Sequence, residues 1–387
     1  MNILYITMKY SHECKGIYRD LVEELINRNH HVTVVHCSDR TSEKSLYKIK
    51  DNLRSLDVNT PNMFANNLIK KGINQILLPF YFKKAIKKNL SNETYDLILY
   101  ATPPITLVNV IKYCKNKYTA KTFLMLKDIF PQNAVDLKMM SKKGIIYRYF
   151  RKQEEKYYDV SDYIGCMSKK NAEYIQKNNS CIDVSKLHIF PNSIEIEEIS
   201  SRFNQDKTIF VFGGNLGKPQ NIPFILEIIK NLEDYNKAEF WIIGDGTERY
   251  VVEEFIKNND KCNLKYMGHV SPQEYEGILC NADVGIISLD PRFTIPNVPS
   301  RFQGYLKLKK PVLAVTDKNT DIKEMIRDND CGWWFEARDA SYIANSIKNI
   351  CTEKESQIQK GKNGYEFLIK EFDVKKNVDD IEDFVIN

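Results

Sequence analysis

Long apolar stretches, paired cysteines and low-complexity tracts are all absent from this sequence of 387 residues. Its most apolar run, 76–82, falls far short of the roughly 18 residues that cross a bilayer, which excludes a membrane-spanning segment. The nine cysteines are scattered singly without a Cys-x-x-Cys pair, which predicts reduced thiols rather than disulfides or zinc ligands. The first residues carry no basic leader or cleavage site of a signal peptide. We therefore expect a cytoplasmic protein.

Charge of one sign is also scarce, since 56 Lys and Arg residues face 51 Asp and Glu residues. A net charge of +5 is too small to indicate a nucleic-acid partner, and the lysines form no aromatic stacking platform. A Gly-x-Gly-x-x-Gly motif is missing after the first predicted strand, where only Gly16 is found. This absence argues against an NAD or FAD site there. We predict no nucleic-acid partner, no cofactor and no bound metal.

Short apolar runs alternate with longer amphipathic segments from the first residue to about residue 350. This alternation predicts βα units around parallel sheets, and the chain length indicates two domains. The predicted strands are Asn2–Thr7, His31–His36, Leu97–Ala101, Thr122–Leu126, Tyr163–Met167 and Leu187–Phe190 in the first half, and Thr208–Phe212, Glu239–Ile243, Leu264–Met267, Val284–Ser288 and Val312–Val315 in the second.

A polar stretch, 194–207, separates the two halves, because apolar periodicity stops there and turn-forming residues cluster. We predict an α/β protein with a Rossmann-like domain at 1–200 and a second one at 201–360. The apolar residues after Gly361 predict a C-terminal helix, 361–387, that docks back toward the N-terminal domain.

A basic segment, 64–90, carries six lysines among aromatic and aliphatic residues. A segment of this composition can lie in the headgroup region of an anionic membrane. An ordinary pair of surface helices with solvated lysines would have the same composition. Our hypothesis is that the segment contacts the inner face of the plasma membrane.

Glycine-rich turns follow two predicted strands of the second half. Thr208–Phe212 leads into the sequence GGNLGK, and Glu239–Ile243 leads into GDG. Such turns expose backbone N–H groups that can meet phosphate, and Lys218 would add a positive charge. Ligands of doubly wound sheets collect at these strand ends. A phosphate site is therefore predicted, although a tight turn without a ligand would need the same glycines.

The sequence Pro299-Ser300-Arg301 forms a further candidate phosphate-binding element. Proline and serine commonly begin helices, so free amides are expected here, and an arginine can bind two phosphate oxygens at once. A capped surface helix would have the same pattern. If Pro299-Ser300-Arg301 binds phosphate, the second half contains two phosphate-binding elements.

Together these motifs resemble the retaining glycosyltransferases of family 4. The matching runs agree in order and spacing over almost the whole chain, and they are most similar to the branch that builds bacterial capsule and O-antigen repeats, such as the N-acetyl-L-fucosamine transferases. They comprise Thr102-Pro103-Pro104, Lys127–Gln132, Cys166-Met167-Ser168, Pro191-Asn192-Ser193, Gly214–Asn221, Gly244-Asp245-Gly246, Met267–Val270, Pro299-Ser300-Arg301, Gly304-Tyr305 and Lys310-Pro311-Val312.

The resemblance implies a GT-B fold, in which two Rossmann-like domains face each other across a cleft, with the donor mostly on the second domain and the acceptor over the first. It implies that Gly16 approaches the donor phosphates and that Lys127 and Asp128 lie beside the reacting sugar. It also implies catalytic roles for Lys127, Asp128, Lys218 and Arg301. The implied donor contacts in the second domain are Gly214, Asn215, Lys218, Gln220, Gly244, Gly246, Val270, Pro299, Ser300, Arg301, Gly304 and Tyr305.

The sequence departs from the family pattern at three positions. Asn215 replaces a usual arginine, and two usual glutamates are replaced by Pro296 and Gly304. These replacements leave recognition of the sugar and the ribose unassigned.

The implied reaction is retaining transfer from a nucleotide sugar to a polyprenyl-diphosphate-linked or oligosaccharide acceptor, without an obligatory metal. A UDP-sugar is favoured as the donor, and an N-acetylated amino sugar is one candidate. In this mechanism Lys218 and Arg301 stabilise the leaving diphosphate. Two alternatives stay open: a GT-B epimerase that acts on a sugar nucleotide without an acceptor, and a catalytically silent GT-B scaffold or regulatory subunit.

Overall fold

The computed structural model describes residues 1–37, 47–50, 52–60, 68–199, 202–204, 206–259 and 263–386. The chain divides into two compact units. Unit 1 is Met1–Glu195 together with Val374–Asn387, and unit 2 is Ile196–Asp373.

Unit 1 is built on an eight-stranded sheet in the order β3-β4-β2-β1-β5-β6-β7-β8. Edge strand β3 is antiparallel to β4, and the other neighbours are parallel. The strands are β1 (Asn2–Ile6), β2 (His31–Cys37), β3 (Tyr47–Lys50), β4 (Leu53–Val58), β5 (Leu97–Ala101), β6 (Lys121–Leu126), β7 (Tyr163–Cys166) and β8 (Leu187–Ile189). The helices are α1 (Ile17–Asn27), α2 (Leu68–Asn89), α3 (Val108–Tyr118), α4 (Gln132–Asp136), α5 (Ile145–Val160), α6 (Lys169–Asn178) and α14 (Val374–Ile386), with 3-10 turns at Ile105–Leu107 and Val184–Lys186.

Helix α14 returns to unit 1 from the far end of the chain. Its apolar residues Val374, Val378 and Ile381 are buried in the core formed by α1 and one face of the central strands. Arg28, at the end of α1, lies 2.6 Å from Asp379 and 2.7 Å from Glu382, counted between nitrogen and oxygen atoms. Burial and ion pairing thus both attach α14 to this unit.

Unit 2 is built on a six-stranded parallel sheet in the order β11-β10-β9-β12-β13-β14. The strands are β9 (Thr208–Gly213), β10 (Ala238–Ile243), β11 (Leu264–Tyr266), β12 (Val284–Ser288), β13 (Val312–Thr316) and β14 (Gly332–Glu336). The helices are α7 (Ile222–Lys230), α8 (Arg249–Asn258), α9 (Pro272–Asn281), α10 (Arg301–Lys307), α11 (Ile322–Asp328), α12 (Ala340–Thr352) and α13 (Lys354–Glu371), with a 3-10 turn at Lys218–Gln220.

The core of unit 2 lies between one face of this sheet and helices α7 and α12. Phe210 and Phe240, on neighbouring strands, stack with ring centres 5.2 Å apart. Because side chains alternate along a strand, Phe212 and Ile242 bury the same face. The opposite face of β9 and β12 is left for α9 and α10, which lie beside the candidate site.

The α/β prediction of two parallel-sheet Rossmann-like domains is confirmed, and every predicted strand is present. Strands β3, β4 and β14 were not predicted. In β4, Arg54, Ser55 and Asp57 interrupt the apolar pattern, and β14 is a partly exposed edge strand.

The predicted domain boundaries lie at about 200 and 361, and the two observed units meet at 195/196 and 373/374. Helix α13 belongs to unit 2 and α14 to unit 1. No helix within the described ranges is both long and apolar enough to cross a membrane.

Candidate functional site

Two glycine loops are joined at the carboxyl edge of the sheet in unit 2. The Gly214 amide donates to the Ile243 carbonyl at 2.9 Å, and the Leu216 amide donates to the Asp245 carbonyl at 2.9 Å. A Cβ on Gly244 would lie 1.8 Å from the Gly214 oxygen, and its φ of +134° is one that other residues rarely adopt. A Cβ on Gly246 would likewise lie 2.3 Å from the Leu216 oxygen. These glycines are therefore required for the two loops to meet.

Arg301 lies beside the first of these loops. Its guanidinium carbon is 4.4 Å from the centre of the Phe212 ring. Its Nη2 atom would be 3.2 Å from a Cβ on Gly214. Nη1 is buried without a hydrogen-bond partner, and no carboxylate of the described residues pairs with this arginine. A partly buried cation next to a glycine turn, with one donor unused, is suited to bind an anion.

Burial lowers the pKa of Arg301, whose nearby titratable groups are Tyr305 and Tyr275. Tyr305 is a core residue: its hydroxyl donates to the carbonyls of Val211 at 3.2 Å and Ile286 at 3.3 Å, and accepts from the Gly213 amide at 3.3 Å. Its ring occupies the place where a Cβ on Gly285 would be. Tyr305 therefore holds α10 against β9 and β12, which positions Arg301.

Lys218 and Gln220 lie on the 3-10 turn that follows the first loop. Lys218 is exposed, and its charge acts on Glu248, which precedes α8. Burial raises the pKa of Glu248, and Asp290 raises it further. Asp290 itself is paired with Arg292 through two bonds of 2.8 and 2.5 Å. Lys218 is thus the cation of this turn that remains available to a ligand.

Two side-chain oxygens beside this turn lack a hydrogen-bond donor among the described residues. Glu248 Oε2 and Gln220 Oε1 are both buried, and neither has a hydrogen-bond partner among the described residues. The Glu248 amide donates to Leu216 at 2.8 Å, so this residue is anchored to the glycine loop. A ligand that fits here must bring O–H or N–H groups. Glu248 was not among the predicted site residues, although its position just after GDG is a signal that could have suggested it.

The other predicted donor residues occupy several different environments. Asn215 is exposed on the glycine loop. Pro299 and Ser300 precede α10, and the Ser300 side chain makes no capping hydrogen bond. A Cβ on Gly304 would meet no atom within 4 Å, so this position borders open space. The structure thus places Asn215, Lys218, Gln220 and Arg301 around joined loops, with Pro299, Ser300 and Gly304 on the adjoining segment.

Val270 lines an apolar groove of about 530 Å³ in unit 2. Trp241, Met267 and Ile278 form its other apolar walls. The loop before Val270 is joined to the glycine loops because the Gly244 amide donates to the Gly268 carbonyl at 2.7 Å.

The loop after β6 in unit 1 contains Lys127 and Asp128. Their amides donate to the Thr102 hydroxyl at 3.0 and 3.2 Å, which ties the loop to the end of β5. Burial lowers the pKa of Lys127 to about 7, and its Nζ lies 3.4 Å from the Pro191 carbonyl. Burial raises the pKa of Asp128 to about 6, and Asn133 donates to its carboxylate at 2.7 Å. Both groups can therefore change protonation near neutral pH.

Gly16 precedes α1 in the same unit, and a Cβ there would meet no atom within 4 Å. Its amide donates to Asp20 at 3.1 Å, and the other Asp20 oxygen accepts from the Glu195 amide at 3.0 Å. This amide is thus already used within unit 1. No cluster of three His, Cys, Asp or Glu residues with metal-binding geometry occurs in the described part of the chain.

The chain thus has two Rossmann-like units, with joined glycine loops at the carboxyl edge of the sheet in unit 2. Residues 193–367 match the family model of glycosyl transferases group 1. The chain is also 27% identical to the probable glycosyltransferase WbjE of Pseudomonas aeruginosa over 300 residues, which cover 75% of this chain and 74% of that protein. Both matches are similarities to glycosyltransferases, and the family model covers the second half of the chain.

Solved structures have the same fold. A sucrose-phosphate synthase from Thermosynechococcus elongatus matches with a TM-score of 0.76 at 14% identity, covering 99% of this chain and 98% of that one. An E. coli structure described as trehalose-6-phosphate bound with UDP-2-fluoro glucose matches with a TM-score of 0.76 at 10% identity, covering 100% and 99%. At these identities the matches show the GT-B fold.

Proposed function

We propose that this protein is a retaining glycosyltransferase that moves a sugar from a nucleotide sugar to a lipid-linked or saccharide acceptor in bacterial surface polysaccharide synthesis. The observation that carries this proposal is Arg301, a partly buried guanidinium with an unused donor beside Gly214. The group 1 family match over the same part of the chain supports it.

The diphosphate of the donor is the anion that this arrangement suits. Arg301 and Lys218 supply positive charge, and the loop at Gly214 supplies a close backbone approach. When the bond between the anomeric carbon and the diphosphate oxygen breaks, negative charge develops on the leaving nucleoside diphosphate. Arg301 and Lys218 stabilise that charge, and such electrostatic stabilisation is often the largest catalytic contribution.

Hydroxyl groups of the nucleotide sugar are recognised by Glu248 Oε2 and Gln220 Oε1. Both oxygens are buried and accept no hydrogen bond from the described residues. Sugar and ribose hydroxyls supply the O–H groups that these oxygens need, and an N-acetyl group would supply an N–H. Glu248 thereby takes a recognition role that Pro296 and Gly304 leave open. A UDP-sugar is the favoured donor, because the E. coli protein of the same fold was solved with UDP-2-fluoro glucose.

The acceptor belongs to unit 1 in this proposal, beside Lys127 and Asp128. Its hydroxyl oxygen forms the new bond to the anomeric carbon on the face from which the diphosphate leaves, so the configuration is retained. The hydroxyl proton passes to the Asp128 carboxylate, which is ionised above its pKa of about 6. Groups with pKa values of about 7 and 6 suit proton exchange with an acceptor near neutral pH.

Helix α2 supports contact with the membrane that carries a lipid-linked acceptor. In the predicted segment 64–90, residues before 68 lie outside the described ranges, and α2 covers the rest up to Asn89. Ile76, Leu77 and Phe80 are exposed on this helix, Phe80 by 64%. Lys84 and Lys87 are exposed farther along it. This pairing of exposed apolar and basic residues is typical of helices that lie on a bilayer.

The proposed function is tested with the purified full chain in two assays. A thermal-shift screen against UDP-, GDP- and dTDP-sugars should identify one base, because binding to the folded state raises the unfolding temperature. A product assay with the selected donor should give a glycosylated acceptor of the donor's anomeric configuration. Formation of a rearranged sugar nucleotide without an acceptor, or binding without any turnover across acceptors, would contradict the proposal.

A further inference from the structure

The beginning of α5 carries an exposed surface that the transfer reaction does not explain. Four large apolar side chains face solvent there: Met139, Ile145, Ile146 and Tyr149. Ile145 is 77% exposed and Ile146 62% exposed, which is unusual for isoleucines on neighbouring positions. The buried residues of α5 begin only at Gln153. We call residues 138–152 the α5 surface.

The charge of the α5 surface has one sign. Five basic residues are exposed on it: Lys138, Lys142, Lys143, Arg148 and Lys152. No Asp or Glu occurs from 137 to 153. None of these five side chains forms an ion pair within the described ranges, whereas Arg151 on the same helix pairs with Glu154 and Glu155. The nearest acid before the surface, Asp136, accepts a hydrogen bond from Gln132 at 2.7 Å. The exposed cations are thus available to an anionic partner.

The α5 surface shares a face of unit 1 with α2. Both helices pack against α3 and against the 3-10 turn Ile105–Leu107. α5 begins after the loop at the carboxyl end of β6, and α2 ends before the amino end of β5, so the first halves of both helices lie toward the carboxyl edge of the sheet. The exposed Ile76 and Leu77 of α2, and the exposed Ile145, Ile146 and Tyr149 of α5, are found in those first halves. Two separate elements therefore present exposed apolar side chains toward the same edge of the sheet.

We propose that the α5 surface docks on an anionic lipid bilayer. The isoleucines and Met139 enter the apolar part of the interface, Tyr149 lies at headgroup depth, and the five cations meet the lipid phosphates. A bilayer suits this combination because it offers dense negative charge directly above an apolar interior. Since α5 follows the loop of Lys127 and Asp128, docking holds that loop near the membrane surface. The inference concerns unit 1 only and does not depend on the identity of the donor.

The test uses the full chain and vesicles of phosphatidylcholine with or without about 30 mol% phosphatidylglycerol. The second lipid is anionic and gives the vesicle surface a negative potential. Binding is measured by co-flotation. The first variant is Ile145→Gln/Ile146→Gln, and the second is Lys142→Gln/Lys143→Gln. A matched control, Val184→Gln/Ile189→Gln, removes two apolar side chains that are similarly exposed elsewhere in unit 1. Thermal unfolding checks that each variant is folded.

Wild type should bind the anionic vesicles and not the neutral ones. The isoleucine variant should bind at least tenfold more weakly, and each lost lysine should weaken binding about fivefold. The control should bind like wild type. Equal binding by the folded isoleucine variant would overturn the proposal, and so would equal binding to neutral vesicles. Self-association of wild type that is lost in the isoleucine variant, without vesicle binding, would assign the surface to a second copy of this chain instead.

Discussion

Replacement of Arg301 by methionine distinguishes an arginine that binds the nucleotide sugar from one that only stabilises the fold. Methionine has a similar length and no charge, so it can fill the space beside the Phe212 ring. In the free protein the substitution removes a buried hydrogen-bond donor, Nη1, that has no partner among the described residues. Such an unsatisfied donor lowers stability by about 1–3 kcal/mol, so its removal is stabilising. The substitution also removes the stacking of the guanidinium on Phe212, worth about 0.5–2 kcal/mol. We therefore expect the free variant to be about 1 kcal/mol more stable than wild type, or equal to it.

The effect on the reaction should have the opposite sign. Loss of one donor to a developing negative charge typically lowers kcat by about 100- to 1000-fold, or ~2.7–4 kcal/mol of transition-state stabilisation. Binding of the nucleoside diphosphate should weaken as well. At a concentration 100 times the wild-type Kd, the ligand stabilises wild type by about 2.7 kcal/mol. If the Kd rises 100-fold, the variant gains only about 0.4 kcal/mol at that concentration.

The assay combines chemical denaturation, with and without nucleoside diphosphate, and initial rates of transfer. Arg249→Met is the matched control, because Arg249 is exposed on α8 and pairs with Glu253 at 2.7 Å. This control should leave the rate and the ligand effect unchanged. Lys218→Ala should lower turnover by about 100- to 1000-fold without affecting stability. A wild-type rate and a full ligand effect in Arg301→Met would refute the assignment of the diphosphate to this arginine.

Three further predictions concern the glycine loops, the acceptor oxygens and the loop after β6. Glu248→Ala should raise the KM for the nucleotide sugar about tenfold or more in initial-rate measurements, because a hydroxyl contact is lost. Glu253→Ala is the control, and an unchanged KM in Glu248→Ala would contradict the proposed hydroxyl contact. Gly244→Ala should lower the free energy of unfolding by about 2–4 kcal/mol, because the added Cβ would meet the Gly214 oxygen. An unchanged denaturation midpoint would be inconsistent with that contact. Burial raises the pKa of Asp128 to about 6, so its contribution to stability is present at low pH and lost as pH rises through about 4 to 6. Asp128→Asn should lack this loss, and parallel stability curves from pH 4 to 7 would show that the carboxyl is not desolvated.

Most of the fold could be predicted from local patterns. Runs such as Leu97–Ala101 and Val284–Ser288 are apolar throughout, because central strands of parallel sheets are buried on both faces, and the structure has both within these bounds. Strand β4 could not be predicted in this way. Its Arg54 is bound to Glu93 at 2.8 Å and Ser55 to Asp57 at 2.9 Å. These partners stabilise polar residues within a strand, but nothing local indicates them.

The candidate site also combines features that local sequence predicts with features that it does not. The glycine turns and Pro299-Ser300-Arg301 are local signals, because the residues of a tight turn or a helix start are adjacent in the sequence. The meeting of Gly244 with the Gly214 oxygen and the stacking of Arg301 on Phe212 join residues that are far apart along the chain. Among the described residues, no carboxylate pairs with Arg301 and no donor reaches Glu248 Oε2, and both facts depend on every neighbour in space. Local patterns in the sequence suffice to predict the two sheets and the loops at their edges. Which side chains lack partners within the described ranges is set by the tertiary structure, because burial and pairing are properties of residues brought together from distant parts of the chain.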